Sequence, residues 1–161
     1  MEKLLGYICI QHMEPLWRDK ANYICEAVVP DTSDPVVHEQ LWAQKLGGGR
    51  FEICCIPYLL YDLELGDVVS LDETGRVKEV LERSGRFVFR IWLGDAPIDR
   101  NRLFEDIKGM GGMQEWRTEN FGAVDMPDWE SASVLAAYLW ERESKAELVY
   151  ENGRHRPDAV P

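Results

Sequence analysis

The run from Phe51 to Asp72 reads Phe-Glu-Ile-Cys-Cys-Ile-Pro-Tyr-Leu-Leu-Tyr-Asp-Leu-Glu-Leu-Gly-Asp-Val-Val-Ser-Leu-Asp, and it constrains the fold more than any other part of the chain. Phe51 to Ile56 is apolar enough for a strand buried on both faces. Pro57 has no N–H to give to a ladder and is expected to end that strand. An acidic turn follows, and Gly66-Asp67 leads into a second strand ending at Leu71, where Val68 and Ser70 alternate with Val69 and Leu71. Gly66 should take a φ that other residues resist, and Asp67 should bond nearby turn amides. The result is a small β unit with no group poised for chemistry.

More strands flank it. Leu4 to Gln11 suits a short strand, and Asn22 to Val29 alternates over a longer one. Pro30 to Pro35 is a loop by composition, Glu39 to Lys45 a short element, and Gly47-Gly48-Gly49 its end. Glu73-Thr74-Gly75-Arg76 predicts a hairpin turn before a strand from Val77 to Glu82. Ser84-Gly85 turns the chain into Phe87 to Leu93, the strongest strand signal.

After Leu93 the period changes. Asp99 can cap a helix to about Lys108, with Leu103, Phe104 and Ile107 on one face. Gln114 to Glu119 and Phe121 to Val124 suit a pair of strands. Asp128 can cap a second helix, Trp129 to about Arg142, whose Ala132, Leu135, Ala136 and Leu139 share one face. Ala146 to Tyr150 closes with a strand. The order from Phe87 onward is that of a split βαβ sandwich. The expectation is an α+β protein: a small antiparallel β half-barrel over residues 1–86, a ferredoxin-like βαββαβ sandwich over 87–153, and a flexible tail over 154–161.

Laid out in order, Leu41-Trp42-Ala43, Phe51 to Tyr58, Leu65-Gly66-Asp67-Val68-Val69, Ser84-Gly85 and Arg90 resemble a bacterial group known as domain of unknown function 4265. The resemblance is carried by residues 40–92, with the back half agreeing in element order. Pro57, Gly66, Asp67, Gly85 and Arg90 fall on the group's pattern, with Tyr58 as a variant aromatic after the proline. The group's name implies no activity. The residues themselves admit a scaffold role: Arg90, inside an apolar strand, needs a carboxylate or carbonyl partner if it is buried.

Composition narrows the functional classes. A chain of 161 residues, 45% hydrophobic, can bury one domain's core or that of two small subdomains. Asp and Glu number 29 against 18 Lys and Arg, a net charge of −11. That balance repels nucleic-acid phosphates and anionic membranes and suits a basic protein partner, with solubility alone as the plainer reading. No apolar run approaches a membrane span, and the N-terminal apolar stretch is too short for a signal sequence. Cys9, Cys25, Cys54 and Cys55 form no Cys-x-x-Cys pair, so free core thiols in a cytoplasmic protein are expected, Cys54 and Cys55 on opposite strand faces.

Signatures of chemistry are absent. The glycine clusters at 47–49 and 109–112 precede strands instead of opening helices, so neither is a phosphate cradle. His12, His38 and His155 show no zincin spacing, and no Ser sits in a Gly-x-Ser-x-Gly turn. Neither metal nor cofactor is called for. Carboxylates remain: Asp62, Glu64, Asp67, Asp72 and Glu73 in one span, and Glu115, Glu119, Asp125, Asp128 and Glu130 in another, interleaved with Trp116 and Trp129. These are solvated turns or an acidic, aromatic rim for a basic partner. The leading expectation is a non-enzymatic binding protein, monomeric or weakly dimeric, most concretely an immunity protein neutralising a basic toxin domain. Its partner-binding set is Asp62, Glu64, Asp72, Glu73, Glu115, Trp116, Glu119, Asp125, Asp128, Trp129 and Glu130. The alternative is a small-ligand sensor or enzyme whose pocket lies between the two halves, with Tyr58, Asp67 and Arg90 at its mouth; a scaffold part of a larger assembly is a third.

Overall fold

Period-two and period-3.6 segments sort into two sheets and two helices in the computed structural model, which describes residues 2–4 and 7–155. The strands are β1 (Glu2–Leu4), β2 (Tyr7–Ile10), β3 (Tyr23–Val28), β4 (Val36–Gly47), β5 (Arg50–Ile53), β6 (Val68–Leu71), β7 (Val77–Glu82), β8 (Phe87–Trp92), β9 (Met113–Trp116), β10 (Phe121–Met126) and β11 (Val149–Asn152). The helices are α1 (Arg100–Gly109) and α2 (Trp129–Ser144). The protein is α+β.

The first sheet runs β1-β2-β4-β5-β6-β7, with β3 on the other side of β4. β4 is its spine. It pairs in parallel with β2 through Val36 to Glu39 and antiparallel with β5 through Ala43 to Gly47, and β3 covers His38 to Ala43 on its opposite edge. The element expected at Glu39 to Lys45 is therefore a much longer strand, because three partners hydrogen-bond to it along its length. Gly47, Gly48 and Gly49 all take positive φ in the tight turn to β5. The sheet curls until β3 meets the β6–β7 turn, where the Glu26 amide donates to the Gly75 carbonyl at 3.3 Å. Cys25, Leu41, Ala43, Phe51, Ile53, Leu63 and Val69 fill its concave side.

The second sheet is antiparallel throughout, in the order β11-β8-β10-β9. Phe87, Phe89, Ile91 and Leu93 point to one face, where Leu103 and Ile107 of α1 and Ala132, Leu135 and Leu139 of α2 meet them. Each such fully buried Phe, Leu or Ile side chain is worth roughly 1.5–3 kcal/mol. Both helices start where expected: Asp99 accepts the Arg102 amide at 3.0 Å, and Asp128 the Ser131 amide at 2.8 Å. Val88 and Ala123, on the opposite face, pack with Ile10, Ile56 and Tyr58 and join the two sheets. Gly122 is required at the β9–β10 contact, since a Cβ there would stand 2.5 Å from the Trp116 ring.

Two local expectations change. β5 ends at Ile53, before Pro57 and short of the expected Ile56, so Cys54 and Cys55 lie off the strand, both fully buried. Arg154 and His155, expected to open a loose tail, are held: Arg154 Nε donates to Glu64 at 2.8 Å, and the His155 ring stacks on Tyr61 at 3.7 Å. Residues 156–161 lie outside the described residues. Among the described residues, no helix is long and apolar enough to cross a membrane.

Candidate functional site

The stretch between β5 and β6 is buried without regular structure, so its amides need partners other than a ladder. Two carboxylates supply them. Glu39 on β4 accepts the Tyr58 amide at 2.5 Å and the Leu59 amide at 2.9 Å. Glu115 on β9 accepts the Ile56 amide at 2.5 Å. Pro57, with no amide to place, sits between them. This is why β5 stops early.

Between the carboxylates lies His12, in the turn after β2. Its Nε2 is 2.8 Å from Glu39 Oε1 and its Nδ1 is 2.9 Å from Glu115 Oε1. Trp42 Nε1 donates to the His12 carbonyl at 3.2 Å, and the Tyr58 ring stacks parallel on the imidazole at 4.1 Å. Burial works against a charged ring, but the neighbouring Cys55 sulfur and the Glu115 and Glu39 carboxylates outweigh it and hold the His12 pKa well above its usual value. Burial pushes the Cys55 thiol up, so the carboxylates, not a thiolate, are the counter-charges of the imidazolium. Both ring nitrogens and all four carboxylate oxygens are engaged. A general base needs a ring nitrogen facing its substrate. None is left here, and the cluster works as a clasp binding the loop and both sheets together. No motif announces it, because the three residues come from separate elements. Its one sequence signal is a carboxylate, Glu39, inside an apolar strand.

The expected site residues scatter. Glu64 is buried, salt-bridged to Arg154 at 2.8 Å, and its pKa is pushed up to about 7 by burial and the neighbouring Asp67 carboxyl. Asp125 is fully buried in a bidentate pair with Arg86 at 2.5–3.0 Å. Glu115 belongs to the clasp. These three cannot meet a docking partner, since sequence shows their charge but not the cations that draw them inside. Trp116 is half-buried against Phe104 and the flat face left by Gly122. Asp62 accepts the His155 amide, and Asp72 closes the β6–β7 turn by accepting from Thr74 and Arg76. Glu73 and Glu119 are exposed.

Tyr58, Asp67 and Arg90 do not share a pocket mouth. Asp67 is fully buried, accepting the Glu64 and Ser84 amides at 2.9 and 2.8 Å. Gly66 before it has φ 83°. Arg90, also fully buried, donates to the Leu60 carbonyl, pairs with Glu151 at 3.3 Å and lies over the Tyr61 ring. Only Tyr58 lines a cleft. Among the described residues, no group of His, Cys, Asp and Glu is arranged to hold a metal ion.

Asp128, Trp129 and Glu130 do come together, at the start of α2, and the helix adds to them. Trp129, Val134 and Trp140 are 50%, 53% and 65% exposed. At about 100° per residue, Trp140 lies roughly 20° from Trp129 around the axis, three turns further on. Val134, Glu130 and Glu141 border the same outward surface. Trp140 was legible as soon as the buried face was drawn through Ala132, Leu135 and Leu139, because it falls off that face.

A family model described as "Domain of unknown function (DUF4265)" matches residues 39–150. A solved structure titled "Novel crystal structure of a hypothetical protein from Neisseria gonorrhoeae" is similar in fold, with a TM-score of 0.72 at 23% identity, covering 81% of this chain and 93% of that one. No curated protein matches.

Proposed function

This chain belongs to the DUF4265 family, and we propose that it is a non-enzymatic binding protein that takes up a basic protein partner, most concretely a toxin domain that it neutralises. The outward face of α2 carries the reading. A helix that covers a sheet ordinarily turns only polar residues to solvent. Here Trp129 and Trp140 offer aromatic area of the kind that dominates binding energy, and Asp128 and Glu130 stand beside them without a salt-bridge partner among the described residues. A net charge of −11 favours encounter with a positive surface. The buried free thiols of Cys25, Cys54 and Cys55 suit a cytoplasmic setting, and we take the unbound protein as a monomer or weak dimer.

In finer architecture we read the first sheet as a half-barrel, from the β3 contact with the β6–β7 turn, and the second as a ferredoxin-like sandwich, from its strand order.

The test looks beside the gene for a toxin-like basic domain and pairs the chain with it; the lack of any such neighbour counts against the reading. Co-expression should relieve that domain's toxicity, and the purified pair should associate faster at low salt. Trp140→Ala should weaken the complex by about tenfold or more while leaving the fold intact. Absence of a complex, or a Trp140→Ala variant that binds as well as the parent, defeats the reading.

A further inference from the structure

A second surface, at the β9 edge of the second sheet, has the makings of a ligand site. Where the turn after β2 meets the edge strand β9, a cleft of about 370 Å³ opens, with Tyr58 at its wall and Glu14, Trp116 and Arg117 around it. That volume suits a small molecule.

Three ionisable side chains in the cleft are unspent. Tyr58 is only 3% exposed and its ring is fixed between His12 and Phe121, yet its hydroxyl has no hydrogen-bond partner among the described residues. Its oxygen is the part that opens onto the cleft, where a ligand can serve it. Burial pushes its pKa up to about 12, so the group is a neutral donor. The half-buried Arg117 guanidinium has no ion pair or hydrogen bond among the described residues, although most arginines of this chain are paired. Glu14 is likewise unpaired, and it is exposed. Gln11, also on the cleft, is exposed and neutral, whereas Gln114 binds the Phe104 carbonyl and the Trp116 indole N–H, and every oxygen of Glu115 is held in the clasp. The Trp116 faces are covered by Phe104 and Gly122, and Tyr58 is stacked on His12, so the walls present ring edges and not open faces for a bare cation.

We infer that this cleft binds a small zwitterion of the α-amino acid class, its carboxylate on Arg117 and the Tyr58 hydroxyl and its ammonium at Glu14. Two donors lining one cleft suit a carboxylate, and a free acid lining it with them suits a positive group on the same molecule. A bare anion would leave Glu14 opposed to it, and a bare cation would leave Arg117 and the phenol without partners. The inference does not depend on the α2 reading, because the two sites share no residue.

The experiment titrates the full chain with each common L-amino acid, reading the Trp116 indole N–H and the Arg117 amide by NMR. For the amino acid giving the largest shifts, the same is done with its deaminated acid and its decarboxylated amine. Saturable binding of the amino acid is expected, with both analogues at least tenfold weaker. Tyr58→Phe, which keeps the ring stack, and Arg117→Gln should each weaken it by about tenfold, roughly the worth of one charge-assisted hydrogen bond. Glu14→Gln should weaken the amino acid but not its deaminated acid. No saturable shift with any amino acid overturns the inference. So does binding indifferent to Tyr58→Phe and Arg117→Gln in folded protein, or an analogue that binds as tightly as the zwitterion.

Discussion

Replacing His12 with leucine puts the clasp to its most direct test. The side chain is nearly the right size, so the change removes charge and hydrogen bonds more than volume. Glu39 and Glu115 keep their amide donors but lose the cation between them, each at a site with almost no solvent contact. Breaking a buried ion pair by removing one partner costs about 3–5 kcal/mol, because the remaining charge stays uncompensated. Against a total of roughly 5–15 kcal/mol for a domain, that is a large fraction. The same cluster sets a pH dependence. The folded-state pKa of His12 lies above its unfolded value. Its contribution is therefore complete below an unfolded pKa of about 6.5 and is lost as pH rises through the folded value, by at most about 1.4 kcal/mol per pH unit. Glu64, raised from 4.5 to about 7, also weakens the fold as pH climbs, but in the window below that. Urea unfolding followed by tryptophan fluorescence from neutral to mildly alkaline pH reads both quantities. The parent should lose stability with rising pH, and His12→Leu should be less stable at neutrality with a flatter profile. A loss under about 1 kcal/mol, or an unchanged alkaline slope, would refute the clasp as a stabilising imidazolium.

Gly122→Ala should lower stability by about 1–3 kcal/mol through overpacking against Trp116, visible as a lowered thermal midpoint, and shrinking Trp116 in the same chain should restore part of it. Asp125→Ala should cost about 3–5 kcal/mol by stranding Arg86, measurable by urea unfolding, whereas changing both residues to apolar ones should cost less. Burial raises the Cys25 and Cys54 thiols to about 12 and about 11, so mass spectrometry after alkylation near pH 8 should find them unmodified in the folded protein and modified once it is unfolded.

The back half was legible because its signals are local. Asp99 and Asp128 sit one residue before apolar 3.6-residue patterns and cap the helices seen. The apolar run from Phe87 marks β8 almost to the residue. The front was harder. β2 pairs in parallel with β4 across an intervening strand, and no short-range pattern marks a pairing of that kind. For the candidate site the outcome was divided: Asp128, Trp129 and Glu130 belong to one exposed surface, while Glu64, Glu115 and Asp125 vanish into the interior.

Caps, turns and faces follow from residues a few positions apart, whose geometry the backbone fixes before any distant contact forms; in that sense the amino-acid order alone settled the helices, most strands and the acidic character of this chain. Which carboxylates remain at the surface is a different kind of question. Glu115 meets His12 across 103 positions and Arg154 meets Glu64 across 90. A carboxylate reads the same in sequence whether water or a buried cation neutralises it, and the folded chain decides between them by bringing His12, Arg86 and Arg154 to the places where solvent is excluded.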